Sequence, residues 1–265
     1  MKIAVSQLIA SGIASMADFA DKAKATGYDG VELSLRPANS PLSYDVTDAQ
    51  LQEFKQLFAQ RNLEIFSTTF SAKSGNLLDR GAAAQECIDQ TIFGMECTAK
   101  LGSKIMLHTL GRFTPELYYE DAYNNAIANL KKLSKDAERL NVTIAIEFIW
   151  NGFLFSPLEM RNLLEAIGSP NVGFYFDPGN MAVFQFPQHW VRALGHHVKH
   201  VHLKDWKGRA LKGEWTPLMQ GECNFPAIIQ ELRAAGYQGP LVSEVSESLA
   251  SWEETAKTMR KIAEL

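Results

Sequence analysis

The chain has 265 residues, 46% hydrophobic and 21% charged, which supplies a sizeable core and excludes a disordered chain. A net charge of −4 excludes a globally basic nucleic-acid binder, and no apolar run approaches the ~18 residues of a membrane span. Cys87, Cys97 and Cys223 are odd in number and lack CxxC spacing, which argues against a disulfide framework or a thiolate zinc site and for free thiols in a reducing cytoplasm.

The opening Met-Lys-Ile-Ala-Val-Ser-Gln reads as a first strand, Ile3–Gln7, without the cationic region or small-residue cleavage site of a signal peptide. A helical pattern over Met16–Thr26 follows, then a strand at Gly30–Leu35 and a helix at Thr47–Arg61. The alternation continues with strand Glu64–Phe70, helix Ala82–Leu101, strand Lys104–Leu110 and helix Pro115–Leu140. Strand Thr143–Ile149 precedes helix Pro157–Ile167, and strand Val172–Asp177 precedes a short helix at Pro187–Leu194. Strands Val198–Lys204 and Pro240–Val245 precede helices Phe225–Ala235 and Leu249–Ala263. Eight short β-branched runs, each followed by a helix, predict a parallel sheet. No GxGxxG follows the first strand, as a dinucleotide-binding open sheet requires. The expected fold is therefore a single-domain (β/α)₈ barrel over residues 1–265. Gly27-Tyr28-Asp29-Gly30 and Gly236-Tyr237-Gln238-Gly239 repeat one helix exit before two of the strands.

Barrel enzymes carry their reacting groups at the C-terminal ends of the strands. Four polar residues stand late in otherwise apolar strands: Glu147 in Ile144–Ile149, Asp177 after Phe174-Tyr175-Phe176, His202 in Val198–Leu203, and Glu244 after Leu241-Val242-Ser243. Each is a strand-end position on strands five, six, seven and eight. Buried carboxylates need partners, and three carboxylates with one imidazole suit one divalent ion, Mn²⁺, Mg²⁺, Co²⁺ or Zn²⁺.

The stretches GYDGVEL at Gly27–Leu33, TIAIEF at Thr143–Phe148, FYFDPGNM at Phe174–Met181 and KHVHLKD at Lys199–Asp205 carry a resemblance that extends through Gly221–Gln230 and Gly236–Glu244. In them the chain resembles the xylose isomerase-like superfamily, also called the AP endonuclease family 2 barrels. IEFIWNGFLFSP at Ile146–Pro157 is most similar to the ketose 3-epimerases and the L-xylulose-5-phosphate 3-epimerase or hexulose-6-phosphate isomerase-like branch. The resemblance implies that Glu147, Asp177, His202 and Glu244 hold one metal and that Glu147 and Glu244 also move protons. It implies a sugar or sugar-phosphate substrate, no nucleic acid or membrane partner, and a homodimer or homotetramer. Asn180 stands where endonuclease IV carries a histidine ligand and where some free-ketose epimerases carry a substrate-contacting histidine. Thr216–Glu222 contains no Asp or His, and Ser67-Thr68-Thr69-Phe70 contains no histidine, so a trinuclear zinc site for DNA repair is not expected.

The implied chemistry is epimerisation or isomerisation through a cis-enediolate, with one glutamate removing a proton and the other returning it. Weaker substrate-binding candidates are His108, Asn180, Arg209, Trp150 and Glu32. His108 is equally a core histidine, Trp150 a packing residue, and Glu32 a partner for Arg36. Lys204–Lys212 contains four cations in nine residues, which form either a phosphate cradle or a solvated charged loop. Two other readings stay open. One is a metal-dependent lyase that dehydrates a keto-polyol or 3-dehydroshikimate, distinguished by loss of water. The other is a noncatalytic sugar-binding protein, distinguished by metal binding without turnover of any ketose.

Overall fold

The computed structural model describes residues 1–10, 12–13, 15–37 and 40–265. Eight parallel strands close a barrel: β1 (Ile3–Ser6), β2 (Gly30–Leu35), β3 (Glu64–Phe70), β4 (Ile105–His108), β5 (Thr143–Glu147), β6 (Val172–Phe176), β7 (Val198–Leu203) and β10 (Leu241–Ser243). Between β7 and β10 lies an antiparallel hairpin, β8 (Asp205–Arg209) and β9 (Lys212–Thr216), where the sequence pattern predicts a loop. The outer layer is α1 (Met16–Ala25), α2 (Asp48–Gln60), α3 (Gly81–Lys100), α4 (Tyr119–Leu140), α5 (Pro157–Ile167), α6 (Pro178–Ala182), α7 (Pro187–Leu194), α8 (Phe225–Ala234) and α9 (Trp252–Glu264). No helix among the described residues is long and apolar enough to cross a membrane.

Local chemistry sets the helix ends. Ser15, Thr47, Ser156, Asn224 and Ser251 accept hydrogen bonds from first-turn amides through their side chains. The Ser251–Glu254 capping box starts α9 three residues after the Leu249 expected from apolar spacing. Similarly, α4 begins at Tyr119 because Thr114 to Leu117 form a turn. The repeated helix exit has a structural counterpart. Gly27 and Gly236 have φ of 88° and 77°, and the following Tyr28 and Tyr237 amides reach back to Ala23 and Leu232. Both turns drop the chain directly into the next strand.

Large side chains such as Trp190, Trp252, Phe19, Phe58 and Phe174 fill the layer between barrel and helices. Each contributes on the order of 1.5–3 kcal/mol by leaving water. The barrel interior differs. Leu107, Ala145 and Tyr175 form a small apolar plug, and above it the inward positions turn polar: Ser6, Glu32, Ser67, Tyr175 and His202 are all fully buried.

Candidate metal centre and its cavity

Glu147 ends β5, Asp177 follows β6, His202 lies in β7 and Glu244 follows β10. These strands are consecutive around the barrel. One ligand atom from each of the four residues falls in a group spanning no more than 4.8 Å. Opposite ligands of a six-coordinate ion with bonds of roughly 2.1 Å are about 4.2 Å apart, so the cluster has the dimensions of a single-ion site. His202 Nδ1 lies 3.4 Å from Glu147 Oε1 and 3.1 Å from Glu244 Oε2. Asp177 Oδ2 and Glu244 Oε2 are buried without an aligned hydrogen bond. These oxygens, part of a hard oxygen-rich donor set that already draws in positive charge, fit a divalent cation.

The ring of His202 is oriented from below. Its Nε2 is 2.7 Å from Glu32 Oε1, and Glu32 also accepts from Ser6 Oγ and Ser67 Oγ, each at 2.7 Å, and from the Tyr175 hydroxyl. Burial works against ionisation of Glu32, but His202 and Tyr175 outweigh it and hold the carboxyl at about 2. A carboxylate so placed accepts a hydrogen bond from Nε2–H and leaves Nδ1 to face the cluster. Glu32, expected as a substrate contact or a partner of Arg36, is fully buried and spends both oxygens inside the barrel.

The outer glutamates behave differently. Burial pushes Glu147 up to about 7, with neighbouring Glu244 adding to the rise and His202 opposing it. Burial also acts to raise Glu244, but His202 and Lys204 prevail and lower it. His202 is pulled well above its usual range, because Glu32 and Glu244 outweigh the burial of its ring.

Lys204, two residues past His202, enters the same cluster. Its Nζ lies 2.7 Å from Glu244 Oε2 and 3.1 Å from Asp177 Oδ2, and these carboxylates raise it against the effect of burial. In the sequence it falls among the hairpin cations, and only the i, i+2 step from His202 marks it out. Asn180 connects two ligands: its amide N–H donates to Asp177 Oδ1 at 3.1 Å and its Nδ2 to Glu147 Oε1 at 3.2 Å. Trp150 donates from Nε1 to the Asn180 carbonyl at 2.9 Å and stacks on Trp215 at 5.2 Å with the planes 3° apart.

Beside the cluster opens a cavity of about 210 Å³. Ile9, Trp215, Val245 and Leu249 line its apolar side, and Lys204, Thr216, Glu244 and Ser246 its polar side. Trp215 belongs to the hairpin, whose base is fixed by Asp205: that side chain accepts from the amides of Trp206, Gly221 and Cys223. The sequence pattern gave no hint of this bracket.

Two other candidates lie elsewhere. His108 is buried, accepts from the Leu110 amide at 2.8 Å, meets Thr91 Oγ1 at 3.2 Å and stacks on Phe70. Burial lowers it to about 4, so both ring nitrogens serve neighbours in a neutral ring. Arg209 is exposed on the hairpin, 2.6 Å from Glu222. It lines a separate cavity with Gln185, Phe186 and Asn224, so Arg209 does not face the metal cluster.

A closed eight-stranded barrel with acids and a histidine at consecutive strand ends is an enzyme architecture of the TIM-barrel class. The sequence model of the xylose isomerase-like TIM barrel matches residues 20–262, and the chain belongs to that family. It is 26% identical over 251 residues to a probable L-ribulose-5-phosphate 3-epimerase of Mycoplasma pneumoniae, covering 92% of this chain and 79% of that one. It is 24% identical over 241 residues to the L-ribulose-5-phosphate 3-epimerase of Shigella flexneri, covering 89% and 81%. Among solved structures, a D-psicose 3-epimerase of Clostridium cellulolyticum superposes with a TM-score of 0.83 at 15% identity, covering 100% of this chain and 98% of that one. A D-tagatose 3-epimerase-like protein gives 0.82 at 20% identity, with the same coverage. At these identities the structural likenesses speak for the fold.

Proposed function

We propose that this protein is a divalent metal-dependent epimerase of a ketose or ketose phosphate. The observation that carries the reading is the four-ligand cluster with a glutamate on either side of His202 and a cavity opening beside it. The epimerase names of relatives that match most of the chain support the reaction class.

Glu147, Asp177, His202 and Glu244 would hold the cation, which when bound supplies Lewis-acid polarisation of a ketose carbonyl. Glu32 keeps the His202 ring in register. Glu147 and Glu244 take up and return the proton of the carbon beside the carbonyl. Because they belong to β5 and β10, at the two ends of the ligand arc, they approach the substrate from different sides, and return from the second side inverts the carbon. The apolar side formed by Trp215, Val245 and Leu249 meets the C–H face of a sugar and limits water around the enediolate.

The test is turnover of L-ribulose 5-phosphate, D-psicose and D-tagatose with added Mn²⁺ in D₂O, followed by NMR for carbon-bound deuterium. Wild type should incorporate deuterium at one carbon with inversion, and Glu147→Gln should lower that rate by about 10²–10⁴-fold. Undiminished exchange in Glu147→Gln would remove this residue from its role, and a product lighter by one water would make the enzyme a lyase.

A further inference from the structure

We propose that Lys204 is a further catalytic residue: its ammonium donates to the substrate oxygen that becomes negative when the carbon-bound proton leaves. This rests on the epimerase reading above. Lys204 follows β7 by one residue and shares the inward parity of His202. The stem is held closely. A Cβ on Gly179 would lie 2.5 Å from Lys204 Cβ, so α6 presses against its base, and Nζ stands 5.3 Å from the centre of the Trp215 ring. What the side chain leaves exposed, 16% of its surface, opens on the cavity it shares with Glu244, and among the described residues no other lysine or arginine lines that cavity.

Its present contacts resemble a resting position. Lys204 Nζ is within 2.7 and 3.1 Å of Glu244 Oε2 and Asp177 Oδ2, yet neither oxygen has an aligned hydrogen bond. Charge counting gives the same picture. Three ligand carboxylates and one dication leave a single negative charge, which Lys204 balances.

Proton removal shifts that charge. The C–H bond breaks, its electron pair becomes the C=C bond, the carbonyl π pair moves to oxygen, and the proton goes to a glutamate. When that glutamate is Glu244, its hold on Lys204 ends as it is neutralised, while a new negative oxygen forms in the cavity the ammonium faces. Lys204 keeps its own proton throughout. A proton drawn from solvent through Glu147 then returns to the carbon from the opposite side and reverses the electron flow. A fixed positive donor aimed at developing charge accelerates such a step because it is already oriented.

The experiment compares wild type and Lys204→Met by deuterium incorporation in D₂O on a ketose that wild type turns over, with Mn²⁺ affinity measured by calorimetry. Lys204→Met should bind Mn²⁺ at least as tightly as wild type and exchange about 10²–10³-fold more slowly, with added methylammonium restoring part of the rate. Exchange within threefold of wild type overturns the proposal. Should Lys204→Met fail to bind Mn²⁺, Lys204→Gln decides. If it binds Mn²⁺ and exchanges about 100-fold more slowly it supports the proposal; exchange at the wild-type rate, or loss of Mn²⁺ binding here too, assigns Lys204 to structure. Wild type without exchange on any ketose removes the epimerase reading itself, and this proposal with it.

Discussion

Glu32 and Glu147 are two buried glutamates of one barrel, on β2 and β5, with opposite circumstances. Glu32 is saturated: Ser6, Ser67, Tyr175 and His202 all direct hydrogens at it, and it stays ionised. Glu147 has an Asn180 amide at 3.2 Å and His202 Nδ1 at 3.4 Å, and burial raises it to about 7. Depth alone does not separate them. The number of donors does: a carboxylate with every lone pair satisfied is a structural anchor, and one left short of donors is ready for a cation or a proton.

The largest effect should come from emptying the saturated site. Glu32→Ala strands the hydrogens of Ser6, Ser67, Tyr175 and His202 and should cost about 3–5 kcal/mol in denaturant unfolding. The milder Glu32→Gln should lower Mn²⁺ affinity by about 10–100-fold through a misoriented His202. Glu147→Gln removes a carboxylate that burial disfavours, so the metal-free protein at pH 8 should be at least as stable as wild type. Equal losses for Glu32→Ala and Glu147→Gln would abolish the distinction.

A smaller, graded effect is expected with pH. Glu147 and His202 both hold protons to higher pH than usual, and both must release them to ligate. Mn²⁺ affinity should therefore fall as pH drops through about 7, by roughly one to two logarithmic units per pH unit. In the metal-free protein the sign reverses. A raised folded pKa adds stability below the unfolded value, and that stability is lost as pH rises through the folded one. Calorimetry across pH 5.5–8.5, with chemical denaturation of the metal-free protein alongside, checks both; a flat affinity profile would mean that neither group carries a proton in the free site.

The smallest effect belongs to Arg209. Its pair with Glu222 is exposed and borders a separate cavity, so Arg209→Ala should change stability by less than about 0.5 kcal/mol and kcat/KM on a phosphorylated ketose by less than about twofold. A large rise in KM would bring the hairpin back as a phosphate cradle.

Much of this was legible in the sequence, for reasons that differ by residue. Strand-end position singles out Glu147, Asp177, His202 and Glu244, because apolar runs make a lone acid or imidazole conspicuous. The same rule marks Glu32 but cannot assign it. The hairpin is not legible as two strands, only as a phosphate cradle or a charged loop, because Lys207, Arg209, Lys212 and Glu214 dominate its pattern and its turn, Ala210-Leu211, lacks the usual Asn-Gly or Asp-Gly signal; Leu211 adopts φ 70° instead. Lys204 is adjacent to those cations in sequence, although its parity belongs to β7.

The sequence by itself therefore determined the alternation of strands and helices, the closed barrel and the four residues at its C-terminal mouth, since these follow from periodicity and from the cost of burying charge. Only the tertiary structure decided what each buried charge does. The donors that saturate Glu32 come from β1, β3, β6 and β7, and the ammonium and indole that shape the cavity come from the end of β7 and from β9. Hydrogen bonds and charge compensation act over a few ångströms, so they are fixed by which strands become neighbours and in what register.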